Sequence, residues 1–476
     1  MTMRNKLKSI NWQKILPILF SALAAVISLL TAFFIARPLG AEEYGKVQFY
    51  IGVIQVLSVV TAFGLPDFLT KNVQFANNKK AFFTKYFLLV CCWSIIVYPI
   101  FFSIAYFFLG SFAQNVIVII VVGLAAFFQC VCSLVGGFFL GSYKQTKAIL
   151  FEIFIPKAAI FIFSLVLIFA LSIRGDFSYY YVYGFLAIYA ISSFFFLFSL
   201  LRKTKFKFTK KEIFFVLSFF ALSATYSLNT ALGKVIGSEY YNSFSGVGAY
   251  ALSAQIVTLA TLFTGVITSM SKPVFSSLAN DKEKLILYFQ KITRINSYIV
   301  IPFCLGFIVQ SKTLLSLFGD SYTPFYLILI LMSLGTLFAS ITGPNGSMLA
   351  MANHEKLEVI NGLLNMGIFL ICAFSFVFLE STGLALSSLV AVVVVNVIKL
   401  IEIRVVYKTN PYSLKLVIHL LIIIAICGGA FYLVDFIPNI YMRIVVDCFV
   451  GVTLILLAFI VNPNKEDKFF FSNKNK

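Results

Sequence analysis

Residues 4–46 read RNKLKSINWQKILPILFSALAAVISLLTAFFIARPLGAEEYGK. Arg4, Lys6, Lys8 and Lys14 precede an apolar run of about 20 residues, the length that crosses the hydrocarbon core of a bilayer. The run closes on Arg37-Pro38 without a small-residue cleavage site and is too long for a signal h-region, so it reads as an uncleaved first span. The same alternation repeats to the C-terminus: cationic gap, apolar run, nearly uncharged gap, apolar run. That is the charge pattern of a multi-pass membrane protein.

The runs fall near Ile15–Ala36, Val47–Pro66, Tyr86–Leu109, Val116–Leu140, Ala148–Ile173 and Tyr180–Leu201. After a basic segment come Ile213–Ile236, Ala249–Met270, Ser297–Phe318, Phe325–Leu349, Val359–Leu379, Gly383–Ile401, Leu416–Val434 and Tyr441–Val461. About fourteen helices are expected, an even number that puts both termini on one side. Open sheets are excluded, because their edges would leave backbone groups unpaired in lipid. A barrel would show short alternating segments instead.

Composition agrees. The chain is 61% hydrophobic and 12% charged, with 56 Phe and a mean hydropathy of +0.98, well above the roughly 45–50% apolar content of soluble domains. With the N-terminus in the cytoplasm, 30 of the 37 Lys and Arg lie in inner gaps and flanks and three, Arg37, Lys46 and Arg174, in outer ones. The remaining four, Lys157, Lys234, Lys312 and Arg443, fall inside predicted spans. The net charge of +19 is thus a topology and lipid-phosphate signal. No basic region is large enough for a nucleic-acid partner.

The chemistry of most enzymes is missing. The two histidines, His354 and His419, have no second His or Cys at helical spacing, and there is no phosphate-binding Gly-rich loop. No gap exceeds about 30 residues, too short for a soluble catalytic domain. All eight cysteines lie in spans and read as small apolar side chains, with Cys130 and Cys132 on opposite helix faces. No cofactor and no metal are expected, and transport is the default function.

The most basic segment, Arg202 to Lys211, divides the chain. It implies a first lobe over 1–201 with spans 1–6, a cytoplasmic linker over 202–212 and a second lobe over 213–401 with spans 7–12. Residues 402–476 add spans 13 and 14 and a tail. A faint duplication accompanies the division. Leu39-Gly40-Ala41-Glu42-Glu43-Tyr44-Gly45 opens span 2 and Gly246-Val247-Gly248-Ala249-Tyr250 opens span 8. Tyr44 is followed by Pro66 after 22 residues and Tyr250 by Pro273 after 23. Repeat-built transporters bind their substrate at the interface of such halves.

These two motifs, with Arg37-Pro38 before the first and Gly64-Leu65 closing span 2, resemble the polysaccharide biosynthesis, or O-antigen, flippases of the multidrug/oligosaccharidyl-lipid/polysaccharide exporter superfamily. The resemblance implies two six-helix lobes around a central cavity, two extra C-terminal helices and alternating access. It also implies a substrate: an oligosaccharide linked through diphosphate to a polyprenyl lipid, an O-antigen or capsule repeat unit. That unit would be turned from the inner to the outer leaflet of the bacterial cytoplasmic (inner) membrane. Membrane lipids and other polysaccharide-assembly membrane proteins are the implied partners. A small-molecule exporter of the same superfamily, or a membrane-embedded polymerase or acyltransferase, is the alternative.

A sugar diphosphate crosses hydrocarbon only in a wet, cationic passage, because an unpaired charge buried in lipid costs many kcal/mol. Intramembrane cations are therefore the candidates: Arg37 closing span 1, Lys157 after Pro156 in span 5, Lys234 in span 7 and Lys312 in span 9. Arg37 and Lys234 are also close enough to span ends to snorkel to headgroups, and Lys157 is as well placed to pair with Glu152. Lys312 reads as deeper and favours the cavity. Arg443 is expected to pair with Asp447, four residues on. Thr258 and Thr261, continued by Thr264 and Thr268 on one face of span 8, suit either a sugar passage or helix packing.

Overall fold

The computed structural model of the chain describes residues 12–112, 115–172, 176–204, 228–408 and 414–461. Every regular element among them is helical. Eleven helices are long and apolar enough to cross a membrane, which makes this a multi-pass helical membrane protein. One of the eleven holds two predicted spans, the seventh predicted span begins outside the described residues, and the last helix has a shorter apolar stretch, Val445–Leu457. The expectation of about fourteen spans is accounted for in this way.

The chain forms two compact units, Met1–Phe244 and Ser245–Lys476. Most of the expected linker, residues 205–212, lies outside the described residues. The units part some forty residues later, because residues 228–239, assigned in sequence to the second lobe, pack inside the first unit against Gly52.

The first unit opens with α1, Trp12–Ala62, whose only non-helical residue is Gly40 (φ 78°, ψ 176°). The expected outer loop 37–46 is therefore a kink, and spans 1 and 2 are two arms of one bent helix. The residues explain it. Pro38 removes a backbone donor, and Gly40 adopts a φ that other residues resist. Glu42 and Glu43 then sit in the first turn of the second arm, where carboxylates favour the helix dipole. Lys46 folds back onto both, at 2.6 Å from Glu43 and 3.4 Å from Glu42. Tyr44 is fully buried. A Cβ on Gly45 would stand 1.8 Å from the Phe244 carbonyl, so only glycine fits that approach.

After Gly64, left-handed at φ 71°, come α2 (Leu65–Asn72), α3 (Lys79–Phe108), α4 (Val116–Gly141), α5 (Gln145–Ala170) and α6 (Phe177–Leu200). Helix α4 is the centre of the unit, far more of its apolar stretch being buried than that of α3. Lipid offers no hydrophobic drive for helices to associate, so close packing of small residues supplies it. Gly137 and Gly141 of α4 admit the α2 backbone: a Cβ on either would meet carbonyl oxygens of Pro66, Leu69 or Thr70 at 2.3–2.8 Å. The Thr70 hydroxyl donates to the Gly137 carbonyl at 3.3 Å. Helix α5 carries two π-helical turns, Leu150–Phe154 and Val166–Ala170. The first ends two residues before Pro156, which lacks the amide to continue an α ladder.

The second unit contains α7 (Phe244–Ser277), α8 (Lys282–Val309), α9 (Ser311–Ser316), α10 (Tyr326–Thr342), α11 (Asn345–Met351), α12 (Glu355–Ser375), α13 (Ser381–Tyr407), α14 (Leu414–Val434) and α15 (Ile440–Val461). The expected tenth span is broken at Gly343 (φ 81°) and Pro344, where the proline forces its neighbour out of the helical region. The stretch Gly246–Tyr250 is helical, so α7 begins before the predicted start of span 8 at Ala249. Tyr250 is buried like Tyr44 and its hydroxyl lies 3.1 Å from that of Ser388. Helices α14 and α15 share a core with α8 through Phe431, Cys427 and Leu454.

Candidate functional site

Arg37, Lys157 and Lys234 belong to the first unit, and Thr258, Thr261 and Lys312 to the second. Arg37 is exposed and its guanidinium stands 5.7 Å from the Phe33 ring centre, a geometry in which the ring face attracts the cation. Lys157 is half-buried one residue after Pro156. It makes no ion pair with Glu152. Glu152 turns instead to α4, where a Cβ on Gly136 would stand 1.8 Å from its Oε2.

Lys234 is the most enclosed of the cations, only 7% exposed. Its stem lies over Gly52 of α1: a Cβ there would meet Lys234 Cβ at 2.9 Å and Cδ at 3.4 Å. Its backbone carbonyl accepts from the Ser238 hydroxyl at 3.2 Å. Among the described residues no carboxylate stands within ion-pair distance of the ammonium. It is a cation removed from water with no counter-ion among the described residues. Such a group is costly unless something else supplies the negative charge.

Lys312 differs from expectation. Helix α8 ends at Val309, and Lys312 is exposed on the separate short helix α9, 4.5 Å over the Tyr326 ring. It lies past the end of the span because the apolar run of 297–318 hides a break at Gln310-Ser311. Arg443 differs as well. It pairs with Asp435 at 2.7 Å, donates to the Ile437 carbonyl at 2.7 and 2.9 Å and reaches Thr313 at 3.2 Å. Helical side chains lean toward the N-terminus, so this arginine folds back over the α14–α15 corner and not forward to Asp447. Thr258 is exposed and Thr261 half-buried, and their hydroxyls donate to the carbonyls of Ala254 (2.8 Å) and Thr258 (3.0 Å). Each keeps an oxygen free to accept.

Sequence reading missed a buried polar network in the second unit. Lys399 of α13 donates to Glu358 of α12 at 2.7 Å, with side chains 12% and 3% exposed. Asn361 donates to Glu402 at 2.6 Å. Asn345 and Thr342 both donate to the Asn396 side-chain Oδ1, at 3.0 and 3.2 Å. The signal was present as two stripes at helical spacing, Glu358-Asn361-Asn365 and Asn396-Lys399-Glu402. It was masked because Glu358 and Glu402 flank predicted spans and Lys399, two residues inside the end of one, counts toward topology.

Helical spans in two units, with a lysine buried in one away from any described carboxylate and a polar network in the other, make up a multi-pass helical membrane fold. The match to solved transporters agrees. The chain superposes on the lipid II flippase MurJ in its inward closed conformation with a TM-score of 0.74, at 16% identity, covering 93% of this chain and 98% of that one. An inward-facing multidrug resistance MATE family transporter of the MOP superfamily gives 0.61 at 14% identity, covering 81% and 94%.

Residues 34–327 match the family described as polysaccharide biosynthesis protein, and the chain belongs to that family. A curated relative, an uncharacterized membrane protein in the cps region of Klebsiella pneumoniae, is 25% identical over 197 residues. The match spans 40% of this chain and 39% of the relative's length.

Proposed function

We propose that the protein is a flippase for an anionic, lipid-linked oligosaccharide. It would carry a polyprenyl-diphosphate-linked repeat unit of a surface polysaccharide outward across the bacterial cytoplasmic membrane, with both termini in the cytoplasm. It would act as a transporter and not as an enzyme. The reading rests on family membership and on one residue, Lys234. A buried ammonium with no carboxylate partner among the described residues is suited to an anion that arrives from outside the protein. In the state described here it is shut away against Gly52, and opening presents it to a diphosphate while the lipid tail stays in the bilayer. Lys157 and Arg37 extend the cationic character of the same unit, and Thr258 and Thr261 offer hydroxyl oxygens to sugar.

The test uses purified full-length protein in proteoliposomes with a fluorescent polyprenyl-diphosphate oligosaccharide. A charge-assisted hydrogen bond contributes about 1.5–3 kcal/mol, so Lys234→Met is expected to slow flipping about 10- to 100-fold while Lys234→Arg retains most of it. Lys234→Met flipping at the wild-type rate, in protein that stays monodisperse, removes Lys234 from the function.

A further inference from the structure

The end of the first unit that faces outward in the orientation proposed above carries aromatic and acidic side chains that the flippase reading leaves unused. The helix of residues 228–239, which buries Lys234, stops there. The Tyr240 and Tyr241 amides both donate to the Ile236 carbonyl, at 2.8 and 3.2 Å, and the Ser243 amide donates to the Gly237 carbonyl at 3.2 Å. Asn242 is left-handed at φ 49°, a conformation in which asparagine can end a helix. This closure holds two tyrosine rings side by side, with centroids 6.2 Å apart and planes tilted by 42°. Tyr240 is exposed and Tyr241 half-buried.

Glu239 adjoins them and is half-buried. A Cβ on Gly110, in the turn after α3, would meet its Oε2 at 3.9 Å and no other atom within 4 Å. The carboxylate therefore borders open space. Together with Glu43 it acts electrostatically on Tyr50 of α1, which is hydrogen-bonded to Tyr179 of α6. Among the described residues the cations at this end are Lys46, held by Glu42 and Glu43, and Arg37, over the Phe33 ring. Arg174 lies outside the described residues.

Flat rings beside a carboxylate that borders open space suit a sugar. A pyranose has an apolar face of C–H groups, which rests on an aromatic ring, and hydroxyls around its edge, which donate to carboxylate oxygens. Lys234, buried with no carboxylate partner among the described residues, lies on the same helix five residues before Glu239, about 7.5 Å along the axis. Helical side chains lean toward the N-terminus, so the ammonium sits deeper than the rings and leaves the helix end clear.

We propose that Glu239, Tyr240 and Tyr241 bind the sugar next to the diphosphate of the lipid-linked glycan and select a neutral sugar over one bearing a carboxylate. This rests on the flippase reading above, in which Lys234 takes the diphosphate. One helix then meets both parts of the head, the charged part at Lys234 and the uncharged ring at its outer end. A uronic acid in that position sets its carboxylate against Glu239, and like charges in contact are rejected.

The test uses full-length protein in proteoliposomes and three fluorescent polyprenyl-diphosphate probes, carrying no sugar, a neutral hexose or the matching hexuronic acid. Wild type is expected to flip the hexose probe about tenfold faster than the hexuronic acid probe, the effect of one repulsive contact between partly exposed charges. Glu239→Gln is expected to bring the two rates within about twofold by speeding the hexuronic acid. Tyr240→Leu, which keeps an apolar side chain but loses the flat ring, is expected to slow the hexose probe and leave the sugarless one unchanged. Equal hexose and hexuronic acid rates in wild type, an unchanged ratio in Glu239→Gln, or equal slowing of the sugarless probe in Tyr240→Leu overturns the proposal and leaves the flippase reading standing. Wild-type protein that moves none of the three probes overturns the flippase reading, and this proposal with it.

Discussion

Two lysines of this chain have opposite surroundings although both are buried, and the difference sets what each can do. Lys399 has Glu358 at 2.7 Å, whereas Lys234 has no carboxylate within reach among the described residues. Removing one partner of a buried ion pair leaves an uncompensated charge and costs about 3–5 kcal/mol, while replacing both by apolar side chains of similar size is often neutral. Lys399→Met is therefore expected to destabilise the protein by that amount in an unfolding titration, and Glu358→Leu/Lys399→Met to recover most of the loss. Equal stability of the single variant and wild type would show that the pair is solvated. At this scale the sequence was half legible. It marked Lys234 and Lys157 because both break the charge rule inside a span. It could not separate Lys312 from them, because the residues that end α8 are as apolar as those that continue it. Nor could it see that Arg443 turns back to Asp435, since side-chain direction is a three-dimensional property.

At the scale of elements, glycines decide which helices come together. Gly137 and Gly141 let the α2 backbone into α4, whereas a Cβ on Gly265 of α7 meets nothing within 4 Å. Overpacking a close approach costs about 1–3 kcal/mol, but glycine to alanine in an open helix position gains about 0.5–1 kcal/mol. Gly137→Ala is thus expected to lower the unfolding temperature in detergent and Gly265→Ala to hold or raise it. The opposite order would mean that α2 and α4 are farther apart than described. Span existence was plain in the apolar runs, and boundaries were not. The loop expected at 37–46 is a helix bend, and the tenth span is broken at Gly343-Pro344. Both follow from single Gly and Pro residues whose effect depends on neighbours far away in sequence.

For the whole molecule, the distribution of Lys and Arg predicts orientation independently of any contact. Tyr143 and Tyr240 are 76% and 50% exposed and fall in gaps predicted to lie on opposite sides. With the eight native cysteines replaced by serine, Tyr240→Cys is expected to react with a membrane-impermeant maleimide in intact cells, and Tyr143→Cys only after the membrane is opened. Labelling of Tyr143→Cys alone in intact cells reverses the topology. Fold class, span number and family were legible from charge alternation and two short motifs. The split at residue 244 was not, because it depends on where residues 228–239 pack and not on the basic segment that precedes them.

The bend at Gly40 also limits how this chain can vary in length. Ordinary connections absorb an inserted or deleted residue by bulging. Here the register runs unbroken from Ala41 through Ala62, so one added residue would turn Tyr44 and Gly45 by about 100°, swinging the tyrosine out of the core and the glycine away from Phe244. Natural variants should therefore differ by substitution, never by gaps, across this corner.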